Sequence, residues 1–209
     1  MMEQLTVQET RDMLIFVADN LIESKEMLCE IDGKIGDGDH GFGIARGFTS
    51  VKETLNDNTY STVNNVFKDT GMSMLHSMGG ASGIIFSSMF LGGSALTDLE
   101  TLNIGSLTSI MRGGLEKVKV QGKAKLGDKT MVDAYEPAVI ALEKNQDSSL
   151  KNALKSAFLA AEDGVEKTKE YPAKHGRAKF LYDRSIGIED AGATTVSLIF
   201  KAMYNYLSK

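Results

Sequence analysis

Apolar residues recur at helical spacing along nearly the whole chain, and only two prolines, Pro137 and Pro172, interrupt it. Helix interiors exclude proline, so its scarcity favours long helices. From Thr6 to Glu30 the apolar positions Met13, Leu14, Val17, Leu21, Ile22, Met27 and Leu28 alternate with charged ones, which predicts one amphipathic helix. Thr6 and Glu9 fit a capping box at its start. Further helices are expected from about His40 to Leu55, from a cap at Ser61 to His76, and over Ala81–Leu96. The last of these is hydrophobic nearly all round, as a central helix would be. Others fit Asn103–Val120, Thr130–Glu143, Ser148–Glu170 and Ala193–Leu207. No alternating segment of useful length predicts a strand, and no repeat or low-complexity linker divides the chain. The expectation is an all-α single domain over residues 1–209, an antiparallel bundle or barrel of about eight helices.

With 209 residues, 42% hydrophobic and 24% charged, the chain can bury a real core. Its net charge of −5 argues against a nucleic-acid partner, which needs a basic face. Positive charge does gather at Lys117, Lys119, Lys123, Lys125 and Lys129, as a solvated helix end or as a face for a nucleotide. The single cysteine, Cys29, excludes an internal disulfide framework and suits a reducing cytoplasm. The start, Met-Met-Glu-Gln-Leu-Thr, has no basic region followed by an apolar run. No apolar stretch is long enough for a bilayer, so a cytoplasmic protein is expected.

Four glycine-containing segments, 31–43, 79–83, 122–130 and 187–192, interrupt the helices. In a bundle, such loops can meet at one end and share a site. The first carries Asp32, Asp37 and Asp39 among Gly33, Gly36, Gly38, Gly41 and Gly43. Glycine turns let short carboxylates converge, and a purely oxygen ligand set favours Mg²⁺ or Ca²⁺ over zinc. An EF-hand would end in glutamate at its twelfth position, where Gly43 or Phe48 stands. A structural turn is the alternative. Gly79-Gly80-Ala81-Ser82-Gly83 reads either as a phosphate cradle at a helix start or as a tight helix contact. It is neither a Walker loop nor a Rossmann turn. Arg177 and Arg184 suit phosphate, with surface ion pairs as the default. Asp190 could cap the last helix, and Thr130 or Asp128 the one before Glu143.

Taken in order, Asp32-Gly-Lys-Ile-Gly-Asp-Gly-Asp-His-Gly, Gly79-Gly-Ala-Ser-Gly, Gly122-Lys-Ala with Gly127-Asp-Lys-Thr-Met-Val-Asp, and Gly176-Arg-Ala with Arg184-Ser-Ile-Gly resemble one family: the nucleotide-binding L subunit of bacterial dihydroxyacetone kinase. The resemblance implies a helical barrel holding ADP or ATP and two Mg²⁺ ions at one end. It implies Asp32, Asp37 and Asp39 as catalytic metal ligands, and His40, Gly41, Phe42, Gly43, Ala81 and Ser82 at the phosphates. Gly122, Met131, Arg177, Asp190, Ala191 and Gly192 would complete the pocket. It also implies a K subunit that holds the ketose and a phosphohistidine M subunit of the phosphotransferase system, with a homodimer left open. An L-type component acting on another short ketose, or a nucleotide-binding regulator of transcription, is the alternative. This chain departs from its relatives at Ile84 and Ala191, where they carry proline, and at Tyr182-Asp183, where they carry Gly-Glu.

Overall fold

The computed structural model describes residues 4–96 and 98–209. Of the chain start read above, Met1 to Glu3 lie outside the described residues. Nine α-helices are described: α1 (Val7–Glu23), α2 (Lys25–Gly33), α3 (His40–Asp57), α4 (Val63–Met78), α5 (Gly80–Phe90), α6 (Ile104–Gly122), α7 (Val132–Lys144), α8 (Leu150–Lys167) and α9 (Ala191–Tyr206). All but α2 form a closed ring: α1 packs on α3, each later helix packs on the next, and α9 returns to α1. The core fills the ring with Phe48 edge-on to Phe90 and Tyr135 against Phe200. None of the described helices is long and apolar enough to cross a membrane.

The expected all-α barrel is therefore found, with three local differences. First, the predicted helix from Thr6 to Glu30 is two helices that meet at Ser24. Both the N–H and the hydroxyl of Ser24 donate to Asn20 O, at 3.1 and 2.7 Å, which uses up the carbonyl at the bend. α2 then swings across α3 and α9, burying Leu28 and Ile31. Second, Gln4–Thr6 (β1) pairs antiparallel with Thr101–Asn103 (β2), Leu5 opposite Leu102. Three residues are too few to show alternation, so the ladder left no mark in the sequence. Third, α5 is not central. It forms part of the ring wall, ends at Phe90 in a 3₁₀ turn, and leaves Ile84 45% exposed.

Caps fix several termini as read. Glu9 N donates to Thr6 Oγ1, and Thr6 N to Glu9 Oε2, closing the capping box. Asp190 Oδ2 accepts from Ala193 N at 2.8 Å and starts α9. Thr62, rather than Ser61, stands before α4. α7 begins at Val132, with Met131 at the N-cap position; the Thr130 hydroxyl accepts from Val132 N, its carbonyl from Asp133 N, and its N–H donates to Asp133 Oδ2.

Because the ring helices alternate in direction, every second junction falls at the same end. One end gathers the turns 34–39, 79, 123–131 and 168–190; the other carries the β ladder and the turns near residues 60, 100 and 147. α7 and α8 come into backbone contact where Pro137, lacking an N–H, leaves the Asp133 carbonyl without a helical donor. Gly164 packs directly on that carbonyl, and a methyl there would overlap it and Ala134 Cα. Gly164→Ala should therefore destabilise the protein by about 2 kcal/mol or more, read as a lowered denaturant midpoint with an unchanged slope.

Candidate functional site

The acidic turn is built from the two helices that flank it. Asp32 lies in the last turn of α2, Asp39 stands at the N-cap of α3, and Asp37 lies between them. Ile35 N and Gly36 N both return to Asp32 O, which tightens the turn. Asp32 Oδ2 accepts from Asp39 N at 3.1 Å and His40 N at 3.4 Å, so the carboxylate faces the positive end of α3. One carboxylate oxygen from each of Asp32, Asp37 and Asp39 lies within 4.8 Å of the others. Gly36 is needed there, since any Cβ would overlap the Asp32 carboxylate. Arg177, from the far side, donates to Asp37 Oδ2 at 2.9 Å. Hard oxygen donors this close suit a divalent cation such as magnesium.

Beside the trio opens a cavity of about 530 Å³. Asp32, Asp37, Asp39, His40, Ala81, Ser82, Gly122, Met131, Arg177, Asp190, Ala191 and Gly192, all expected at the site, line it. The glycines Gly79 and Gly80, at φ +72° and +62°, turn the chain into α5 and leave Ala81 and Ser82 exposed in its first turn. Amide groups there have no helical acceptor and can meet an anion. His40 is packed beside Phe86 and bonds Thr195 Oγ1 at 2.8 Å. Thr195 already donates its proton to Ala191 O, so it accepts from His40 Nε2–H. Burial holds the His40 imidazole below its ordinary pKa despite the pull of Asp32 and Asp39.

Three expected residues stand elsewhere. Gly41, Phe42 and Gly43 follow His40 on the first turn of α3, but the helix rotates them off the cavity wall. Gly41 is buried against the Lys25 carbonyl and Cys29, Phe42 is exposed beneath the Lys25 ammonium, and Gly43 N closes the turn onto Asp39 O. Of the lysine run, only Lys129 lines the cavity; Lys119 pairs with Glu136, and Lys117 caps Leu91 O.

On the opposite wall the sequence marks Arg177 and Met131, but not the side chains that hold them in place. Segment 171–187 leaves the 3₁₀ turn Thr168–Glu170, carries Arg177, and returns where Gly187 N donates to Lys169 O at 2.8 Å. Side chains of the 127–133 motif tie it down. Asp128 receives Lys174 Nζ at 2.9 Å, Lys125 N at 3.0 Å and His175, and burial of its carboxyl is outweighed, so its pKa stays low. Asp133 accepts from Gly127 N, Thr130 N and the Tyr171 hydroxyl at 2.6, 2.8 and 2.7 Å. Lys129, only 2% exposed, donates to Thr168 O and Ile188 O. Burial lowers its pKa, opposed by Asp190 and Asp133.

Two consequences can be measured. Tyr182 sits at φ 50°, ψ −130°, a conformation that favours glycine. Tyr182→Gly should raise stability by about 1 kcal/mol, seen as a higher denaturant midpoint. Burial also pushes the Asp190 carboxyl up to about 7. The unfolded chain ionises Asp190 near pH 4 and the folded one near 7, so its contribution to stability falls as pH rises between them. In metal-free protein, Asp190→Asn, which keeps a cap, should flatten that decline. Its advantage over wild type at pH 7 should vanish below pH 4 in denaturation curves.

Residues 34–205 match the DAK2 domain. The chain is 39% identical over 181 residues to the ADP-binding subunit DhaL of phosphoenolpyruvate-dependent dihydroxyacetone kinase 1 from Listeria innocua, covering 87% of each chain. It is 38% identical to the corresponding Escherichia coli subunit, covering 85% of this chain and 86% of that one. Against the DhaL subunit of the phosphotransferase-system-dependent kinase of Lactococcus lactis it is 36% identical, over 95% and 97%. The dihydroxyacetone kinase of C. freundii in complex with AMP-PNP and Mg²⁺ superposes with a TM-score of 0.74 at 26% identity, over 98% of this chain. This chain spans about a third of that kinase, 35% of its length. Sequence match, fold and acidic turn agree: the chain belongs to the DAK2-domain family, with the DhaL-type subunits of dihydroxyacetone kinases.

Proposed function

We propose that this chain is the nucleotide-binding subunit of a phosphoenolpyruvate-dependent dihydroxyacetone kinase. In this reading the cavity takes ADP or ATP, and Asp32, Asp37 and Asp39 hold two Mg²⁺ ions. A phosphohistidine M subunit delivers the phosphoryl group to ADP, and a K subunit presents dihydroxyacetone to receive it. The cytoplasm, where nucleotide and magnesium are available, is the place of action in this reading. The observation that carries it is the convergence of three carboxylates beside a cavity whose walls include the starts of α3, α5 and α9. Carboxylates alone would repel a phosphate tail. Amide-rich helix starts alone would hold one without a metal. Their juxtaposition fits a metal-bound nucleotide.

The residues fit the groups they are asked to hold. A volume near 530 Å³ lies within the range of small-molecule pockets. Apolar side chains of Ile85, Val118, Ala124 and Met131 offer a dry face for a base, while the trio, Ser82 and Arg177 gather at polar parts of the wall. Bound magnesium would neutralise phosphate charge, the main requirement of phosphoryl transfer. Ser82 and the free amides of α5 offer donors to phosphate oxygens. His40 is held neutral by burial and gives its Nε2–H to Thr195, so it orients the start of α3 rather than carrying charge. Ala191 in place of proline keeps the α9 turn, because the first helical position has no acceptor for an N–H in either case.

Calorimetry tests the reading directly. ADP should bind in the presence of Mg²⁺ and lose most of its affinity in EDTA; equal affinity in both would sink the metal assignment. Asp37→Ala should lower Mg·ADP affinity by more than about 100-fold, the upper end of what the outer partners of a metal site contribute. Its circular dichroism should stay unchanged, since Asp37 lies on a partly exposed turn. Phosphoryl transfer to dihydroxyacetone, reconstituted with phosphorylated M and K subunits, should disappear in the same variant.

A further inference from the structure

Lys129 lines the cavity, yet nucleotide and metal binding leave its chemistry unexplained. Its backbone is left-handed, φ 59°, and its side chain is buried beneath the cavity floor. A buried ammonium is costly, and carbonyl oxygens compensate it less than a carboxylate would. A methionine of similar volume would pack without that penalty, so packing alone does not account for a lysine here. Its two acceptors explain more. Thr168 O belongs to the chain as it leaves α8, and Ile188 O to the chain as it comes back toward α9. These are the two stems of segment 171–187. Thr168 also meets Asp190 directly, through Asp190 N to Thr168 Oγ1 at 3.0 Å.

We propose that Lys129 is a positioning residue for nucleotide binding: by joining the Thr168 and Ile188 carbonyls it clamps both stems of segment 171–187. The clamp places Arg177 and the Asp190–Gly192 turn against the acidic trio. This rests on the nucleotide-binding reading above. Arg177 reaches Asp37 from a segment that carries one 3₁₀ stretch, Ala178–Ser185, kinked at Tyr182, and is held at its base. The ties from Asp128 to Lys174 and His175 and from Asp133 to Tyr171 hold the near stem alone. Gly187 N to Lys169 O, Asp190 N to Thr168 Oγ1, Ala173 N to Ser185 Oγ and the Lys169–Glu189 pair run from stem to stem within the segment and its flanks. Among the described residues, Lys129 is the side chain from outside the segment and its stems that bonds both of them. An ammonium has three donors, and two fixed acceptors set the distance between the stems.

The test uses Lys129→Met in the full chain. Hydrogen exchange should speed up at the amides of Gly187 and Asp190 while those of α1 and α4 keep wild-type rates; uniform acceleration would make Lys129 an ordinary core group. Mg·ADP affinity should fall about tenfold, as for outer-shell residues of a metal site. Arg177→Ala completes a double-mutant cycle. If Lys129 acts through the segment, the double variant binds no more weakly than the weaker single one. Additive losses, or wild-type affinity in a folded Lys129→Met, overturn the inference. Should Lys129→Met not fold, the same cycle is run with Lys129→Gln, which keeps one donor. Wild-type protein that binds no Mg·ADP would overturn the nucleotide reading instead, and the exchange result would still decide whether the clamp exists.

Discussion

Three carboxylates drawn within 4.8 Å of one another repel, and the way the fold answers that repulsion organises the whole active end. Asp32 is answered locally, by two backbone N–H groups at the start of α3. Asp37 is answered from a distance, by Arg177 on a segment about 140 residues away in sequence. Asp39 has no side-chain capping bond of its own. The trio is thus two-thirds compensated by protein, with oxygen donors still available to a cation. A site that must hold a dication and release it benefits from that balance, because full internal pairing would compete with the ion.

Closure of the ring is what brings those answers to one place. An open array of the same helices would leave α1 and α9 at opposite edges and Asp32 far from Asp190. The contact of α9 with α1, together with α2 lying over α3 and α9, sets the acidic turn beside the α9 cap. The site then has two kinds of wall. The walls at α3, α5 and α9 are helix starts, held by regular backbone bonding. The wall at 123–131 and 171–187 is irregular, and side chains of Asp128, Lys129 and Asp133 do what backbone ladders do elsewhere. Strain accumulates on that wall, at Lys129 and Tyr182, both in left-handed backbone. Irregular chain over a binding site commonly carries such strain, provided neighbouring bonds hold it in place.

The helices were legible because their signal is local: 3.6-residue periodicity, few prolines, and caps such as Thr6 with Glu9 or Asp190. The bend at Ser24 was not, since the apolar stripe continues across it and the break depends on where α2 finds α3 and α9. The site was legible where short glycine-spaced motifs carry their own geometry, as at Asp32, Asp37 and Asp39. Adjacency in the chain does not show that Gly41, Phe42 and Gly43, which follow His40, turn along α3 off the cavity wall. Lys129 reads in the sequence as one member of a lysine run, solvated or facing a nucleotide; its two carbonyl partners lie 39 and 59 residues away, beyond the reach of any local pattern.

The sequence by itself determined the helical class, the acidic turn with its taste for hard cations, and the glycine turns that precede α5. Each follows from backbone freedom and side-chain chemistry within a few residues. The tertiary structure alone decided that four separated turns share one end, that Arg177 meets Asp37, and that a buried lysine joins two stems of chain. Those outcomes depend on ring closure and on which carbonyls are left without partners, and both are properties of the packed whole.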